Sequence, residues 1–251
     1  MPAPDPRRAP SRAATAATLP DLDALVPTCR ACPRLVAWRE AVAANPRASY
    51  AGQTYWGRPV PGFGPADARI VVVGLAPAAH GANRTGRMFT GDRSGDVLFA
   101  ALHRAGLASA AESVAADDGL TLTDVRVTAP VRCAPPANRP TPAERDACRP
   151  FLARELELLT DARVAVVLGG FGWQALLGTL DRSGYAVPSP RPRFGHGVEA
   201  TSQRPDGRAL VLLGCYHVSQ QNTFTGRLTP AMLDEVLVRA RAVADLAAGG
   251  R

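Results

Sequence analysis

The chain has 251 residues, 46% of them hydrophobic and 20% charged, an ordinary globular composition with room for one large domain. Its formal charge of +7 is carried by arginine alone, without a single lysine, which favours a polyanionic partner such as nucleic acid. No apolar run approaches the roughly 18 residues that span a membrane, and Met1–Pro20 lacks the apolar stretch of a secretory signal.

The joint enrichment of Arg, Ala, Pro and Gly also follows from a GC-rich genome, so charge alone makes nucleic-acid binding plausible and no more. Residues 1–20 read as a disordered leader and 21–251 as one domain. Asp21–Pro27 leads into Cys29-Arg-Ala-Cys32, and Pro33 opens a helix with Leu35, Val36, Trp38 and Val42 near helical spacing. Residues 45–67 form a long Gly-, Pro- and aromatic-rich loop. Arg69–Val73 is a strand, and a helix over Asp96–Ala105 follows, with Ser94 or Asp96 as its cap. Val125–Val131 is a second strand with an end disturbed by Pro130. Pro142–Leu159 is an amphipathic helix, Val164–Leu168 a third strand, and Phe171–Leu177 a helix. Arg182–Arg208 reads as a loop, Leu210–Leu213 as a fourth strand and Thr229–Ala247 as the last helix. Apolar strands alternating with helices predict an α/β fold: a central, mostly parallel four-stranded sheet flanked by helices. Ligands in such sheets bind outside the carboxyl ends of the strands.

Five cysteines in a reducing compartment argue for metal or cluster ligation over disulfides. Cys29 and Cys32 form a tight pair. Cys133 and Cys148 form a wider one, with 14 residues between them, including Pro135, Pro136, Pro140 and Pro142. Four thiolates suit a structural zinc or a [4Fe–4S] cluster, and the wide gap is unlike a zinc knuckle. Cys215 ends an apolar strand and reads as a core residue.

The loop after the first strand runs from Gly74-Leu75-Ala76-Pro77 to Phe89-Thr90-Gly91-Asp92. Its glycines let a ligand approach the backbone, and Asn83, Arg84, Thr85 and Arg87 offer donors to phosphate or sugar oxygens. It is neither a Walker loop nor a dinucleotide fingerprint. After the fourth strand, His217 precedes a polar loop through Arg227, in which Phe224 reads equally as core or as an exposed wedge.

Five ordered motifs now resemble a known family. They are the C-x-x-C pair, Gly-Leu-Ala-Pro-Ala, Phe-Thr-Gly-Asp, Arg-Cys-Ala-Pro-Pro-x-Asn-Arg-Pro-Thr with a later Cys, and His-x-Ser-x-x-Asn with Thr-Gly-Arg-Leu-Thr. Together, from about Cys29 to Thr229, they resemble the family 5 uracil-DNA glycosylases, the type B iron–sulfur enzymes of bacteria and archaea. The resemblance implies a uracil-DNA glycosylase-like fold and a [4Fe–4S] cluster on Cys29, Cys32, Cys133 and Cys148. It implies a bacterial cytoplasmic monomer, acting at the nucleoid on DNA that contains uracil or other deaminated bases such as hypoxanthine.

At the position where most branches carry a polar, water-activating residue this chain has Ala76. The resemblance shifts that role to Asp92, for which a helix cap is the competing reading. It makes His217 the group that stabilises negative charge on the leaving base, and Phe89 the aromatic stacked on it. Gly74, Ala76, Asn138 and, less directly, His80 fall to base binding, with a turn as the other reading of Asn138. Arg84, Arg87, Gln221, Asn222 and Arg227 fall to DNA contact. The base-reading Asn of other types is replaced by the stretch Thr128-Ala129-Pro130, which fits a wider base range. Ala76 leaves one alternative in play, a non-catalytic iron–sulfur protein that binds lesions.

Overall fold

Short β-branched runs make the centre of the molecule in the computed structural model, which describes residues 5–246. The first four residues of the expected leader, and Ala247 at the end of the expected last helix, lie outside them. Helices α1 (Leu19–Leu25) and α2 (Pro33–Ala44) precede strand β1 (Ile70–Val73). Then come α3 (Ala82–Thr85), α4 (Arg93–Arg104), β2 (Val125–Thr128), α5 (Pro142–Leu158), β3 (Val164–Leu168) and α6 (Gly170–Arg182). The chain continues through β4 (Glu199–Gln203), β5 (Ala209–Cys215), α7 (Gln220–Phe224) and α8 (Pro230–Leu246).

The sheet order is β2-β1-β3-β5-β4, with β2, β1, β3 and β5 parallel and β4 antiparallel on the edge beside β5. Strands alternate their side chains between faces, and here both faces are buried. Ile70 and Val72 pack with Leu98, Leu102, Leu233 and Leu237 from α4 and α8. Val71 and Val73 face the other way, onto Leu22, Phe151, Trp173 and Leu177 from α1, α5 and α6. That double burial explains why β1 and β3 read as unbroken apolar runs. Among the described residues no helix is long and apolar enough to cross a membrane.

The α/β class is as expected, but the sheet has five strands rather than four. The added β4 lies within the stretch expected as loop over Arg182–Arg208. Its sequence, Glu-Ala-Thr-Ser-Gln, is mostly exposed and buries only Ser202 fully, so it carries no apolar signal. Strand β2 stops at Thr128, short of Pro130. Its outer edge is covered by the segment around Phe63, which exchanges backbone hydrogen bonds with Val127 at 2.9 and 2.7 Å.

The expected disordered leader does not hold for residues 5–20. Pro6–Arg8 and Pro10–Thr15 form 3-10 turns. Ala9 and Ala13 are fully buried, and Arg154 of α5 donates to the Ala16 carbonyl at 2.9 and 2.8 Å. Alanine and proline mislead here. The same small side chains that lower the apparent drive to fold let this segment lie close against α5. Helix α1 was missed as well, although Thr18 and Asp21 form a reciprocal capping box.

A buried ion network fixes the end of β2 against α5. Arg126 Nε donates to Glu155 Oε1 at 2.6 Å, and its Nη2 meets Asp23 at 2.7 Å. Thr128 Oγ1 donates to Glu155 Oε2 at 2.6 Å, and Arg132 also pairs with that oxygen. The network anchors the stretch from which the next loop, with Cys133 and Asn138, departs.

Candidate active site

Beyond the carboxyl ends of β1 and β5 lies a cavity of about 240 Å³. It is lined by Ala76, Phe89, Asp92, Ser94, Asn138, His217 and Ser219, among others. Five of the expected site residues thus meet in one place.

Phe89 is held there by strain and by missing side chains. Its φ is +54°, a left-handed conformation that costs a bulky residue about 1–3 kcal/mol. A side chain at Gly74 would bring a Cβ within 2.6 Å of Phe89 Cζ, so glycine is what admits the ring. Gly74 therefore serves the pocket from behind Phe89 rather than by lining it. The Phe89 and His217 rings lie 6.2 Å apart, tilted by 33°.

Asp92 combines the two readings given to it. It caps α4 with one oxygen, Oδ1, which accepts from Ser94 N at 2.9 Å and Gly95 N at 3.1 Å. Among the described residues Oδ2 accepts no hydrogen bond, and it sits against Gly81, where a Cβ would collide with it. Burial raises the Asp92 pKa above the ordinary carboxylate value, and the two amide donors offset this only in part. Among the described residues Asp92 is the one carboxylate lining the cavity. His217, in the same lining, has a pKa pushed down to about 4 by burial, so its imidazole is neutral near pH 7. Ala76 adds no polar atom. Its other side packs with Leu35, Val131 and Cys133, so it forms part of the wall toward the cysteines. Asn138 is exposed, with φ +54° beside Ala137 at +51°, so it makes the tight turn and still reaches the cavity.

Four expected contacts are placed elsewhere. His80 lies outside the cavity, hydrogen-bonded to Tyr55 Oη at 2.9 Å and stacked on Tyr50. Arg84 spends its guanidinium on His80 O, Gln53 and Gly91 O. Arg87 is buried, bonded to Thr90, Ser113 and Asp118. Both arginines use their guanidinium groups within the protein to order the loop. Asn222 is turned inward, and its Nδ2 holds the His217 carbonyl at 2.8 Å. Gln221 and Arg227 are exposed.

Sequence reasoning missed Arg93 and Arg139, neighbours of Asp92 and Asn138. Among the described residues, the exposed guanidinium groups of Arg93, Arg139 and Arg227 make no hydrogen bond or ion pair. Phe224 proves to be 69% exposed, with Arg93 5.8 Å over its ring. Ser219 lay within a quoted motif without a role, and Ser94 was weighed only as a cap.

The four expected ligand cysteines line a second, smaller cavity between α2, α5 and the loop after β2. None is in a disulfide. Arg34 of α2 grips Glu144 of α5 with two bonds of 2.7 Å, which fixes Cys32 near Cys148. Arg39 donates from Nη1 to Cys133 Sγ at 2.9 Å, and the Arg132 amide donates to Cys148 Sγ at 3.3 Å. Burial pushes the Cys133 thiol up to about 12 and the Cys32 thiol to about 11. Among the described residues no three His, Cys, Asp or Glu side chains converge on a single metal ion. Cys215 is buried in the core, as expected.

A family model described as "Uracil DNA glycosylase superfamily" matches residues 61–241. The chain is 57% identical over 232 residues to the type-5 uracil-DNA glycosylase of Mycobacterium tuberculosis, covering 92% of this chain and 84% of that protein. It is 55% identical to the type-5 enzyme of Mycobacterium leprae, over 92% of this chain and 98% of that protein. It is 52% identical to that of Thermus thermophilus, over 90% of this chain and the whole of that protein. With the α/β sheet and the strand-end cavity, these matches show that the chain belongs to the uracil-DNA glycosylase superfamily, among the type-5 enzymes, and is a DNA glycosylase.

Proposed function

We propose that the protein hydrolyses the N-glycosidic bond of uracil in DNA, and also that of hypoxanthine and other deaminated bases, with Asp92 and His217 as its catalytic residues. The carrying observation is that a half-buried carboxylate with one oxygen left over from capping and a neutral imidazole line one cavity together with Phe89. Bond cleavage puts positive charge on the sugar and negative charge on the base, and both must be stabilised while water is delivered. Asp92 Oδ2 orients the water and faces the sugar. The neutral His217 ring donates its N–H to the departing base. The base reaches the cavity by flipping out of the stack onto Phe89, and exposed Phe224 wedges the gap it leaves. The wider base range is supported by Thr128, whose hydroxyl is spent on Glu155 and so reads no base.

DNA lies across the face bearing Arg93, Arg139 and Arg227. Replacing any one of them with Ala is expected to reduce the slope of log K against log salt by about one, measured by titrating lesion duplex at several salt concentrations. Gly74→Ala is expected to displace the Phe89 ring and raise KM by roughly tenfold, since stacking on one base is worth ~1–3 kcal/mol. We place the monomer in the bacterial cytoplasm, acting at the nucleoid.

The cysteine cavity fits a [4Fe–4S] cluster. Its lining holds all four cysteines, and N–H groups of Arg39 and Arg132 already donate to the Cys133 and Cys148 sulfurs. Arg39 supplies the fit test. It is 1% exposed, its Nε has no partner, and the Glu40 carboxylate 4.0 Å away is already gripped by Arg30. Such a buried cation calls for a negative group in the cavity, which neutral thiols do not provide. The cluster, when bound, supplies that charge and cross-links α2, α5 and the loop after β2. Neither Asp92 nor His217 touches the cysteine cavity.

Base release from uracil- and hypoxanthine-containing duplexes tests the activity, and iron and sulfide content tests the cofactor. Ala76 favours a second reading, a lesion-binding protein without catalysis. Tight duplex binding with no base released from either substrate would establish it.

A further inference from the structure

We propose that Arg39 is the buried counter-cation of the cysteine-bound cluster and raises its reduction potential, an inference that rests on the cofactor reading above. The side chain enters from α2 and is closed in on all sides at 1% exposure. Nη1 donates to Cys133 Sγ at 2.9 Å and Nη2 to the Cys29 carbonyl at 3.0 Å, so one guanidinium spans both cysteine pairs. The buried Nε lacks a protein partner.

The other buried arginines are built differently. Arg126 faces Asp23 and Glu155, Arg132 faces Glu155, and Arg87 faces Asp118, while Arg204 donates to the Leu156, Leu159 and Ala162 carbonyls. Arg39 alone among these five points its charge at sulfur. Its Nη2 is 4.0 Å from Glu40, which pairs with Arg30 through both carboxylate oxygens. A full positive charge in a low-dielectric site acts strongly on its neighbours. Hydrogen bonds to ligand sulfurs and local charge are also the levers by which a protein tunes an iron–sulfur potential. One-electron reduction adds a negative charge to the cluster, and Arg39 stabilises that added charge.

Arg39 also lines the floor of a solvent-open groove with Arg30, Glu40, Tyr55, Trp56 and Arg58. It therefore stands between the cluster cavity and water. Removing it takes away the charge and the one side chain shared by the linings of cavity and groove, which eases access for chelators and oxidants.

The test is a dithionite titration of anaerobically purified full-length protein, followed by absorbance, on the parent and on Arg39→Met, Arg39→Gln, Arg39→Lys and Arg58→Met. Arg39→Met and Arg39→Gln are expected to disfavour the reduced cluster at least tenfold, about 59 mV toward negative potential for a one-electron couple. Both should bleach at least tenfold faster under EDTA and ferricyanide. Arg39→Lys keeps the charge and should recover most of the potential. Arg58→Met, which removes an exposed positive charge from the same groove without touching a cysteine, should leave it unmoved. If Arg39→Met fails to load, the Gln–Lys difference decides. Equal potentials in parent, Lys and Gln variants would overturn the inference while leaving the cofactor in place, as would a shift of equal size in Arg58→Met. A parent holding zinc, or neither iron nor sulfide, would instead overturn the cofactor reading itself.

Discussion

Asp92→Asn is expected to lower single-turnover base release by roughly 10²- to 10⁴-fold, the range for loss of a positioned acid–base group. Asparagine caps helices about as well as aspartate, so the amide oxygen can still accept from Ser94 N and Gly95 N. The substitution thus removes the charge at Oδ2 and spares the helix. Asp92→Ala loses both, and is expected to add about 1 kcal/mol of destabilisation. The pH profile carries the same signature. Burial raises the Asp92 pKa and lowers that of His217 to about 4, and the working forms are the carboxylate and the neutral ring. Activity should rise with pH through both values and then level, without an alkaline limb from either group. In Asp92→Asn the Asp92 part of that limb should vanish. Stability runs the opposite way. A carboxyl with a raised folded-state pKa loses stability as pH rises from its unfolded value through its folded one. At neutral pH the variant should therefore melt at or above the parent. A variant that is both folded and fully active would remove Asp92 from the mechanism.

Glu155→Gln is expected to cost about 3–5 kcal/mol, the range for breaking a buried ion pair by deleting one partner, or roughly 6–20 °C in Tm. Arg126 would keep Asp23, but Arg132 would lose its carboxylate in a fully buried site where its Nε already lacks a partner. Burial alone would raise the Glu155 pKa, yet the charges of Arg132 and Arg126 bring it down to about 2. A carboxylate with a lowered pKa contributes stability that is complete above its unfolded value, near 4.5, and lost as pH falls toward about 2. The parent should lose stability across that window, and Glu155→Gln should lose less. Glu40→Gln, which breaks the exposed pair with Arg30, should cost under about 1 kcal/mol. Denaturant melts of both variants across pH 2 to 7 would separate them, and a Glu155→Gln midpoint equal to the parent's would show that the network contributes nothing net.

Much of the fold was legible because burial on both sheet faces writes continuous apolar runs into β1, β3 and β5. Strand β4 was not, since an exposed edge strand has polar side chains and is defined by pairing with β5. The ordered segment over residues 5–20 escaped for a related reason: its alanines matter only once α5 lies against them. In the site, Gly74, Ala76, Phe89, Asp92, Asn138 and His217 were all found in sequence, since each stands in a motif beyond a strand end. His80, Arg84 and Arg87 stand in the same loop and do different work.

The sequence by itself determined the α/β class, the family, the strand-end loops that build the cavity, and which four cysteines could act as a set. Only the tertiary structure decided the arginines. A sequence shows where a positive charge is, but its role depends on the partner that folding brings within reach. Arg84 and Arg87 are consumed by loop carbonyls, hydroxyls and Asp118, whereas the guanidinium groups of Arg93 and Arg139, one residue from the cavity wall, make no hydrogen bond or ion pair among the described residues. Arg39 carries no sequence signal of its own, and only the meeting of α2 with the loop after β2 puts its charge beside Cys133.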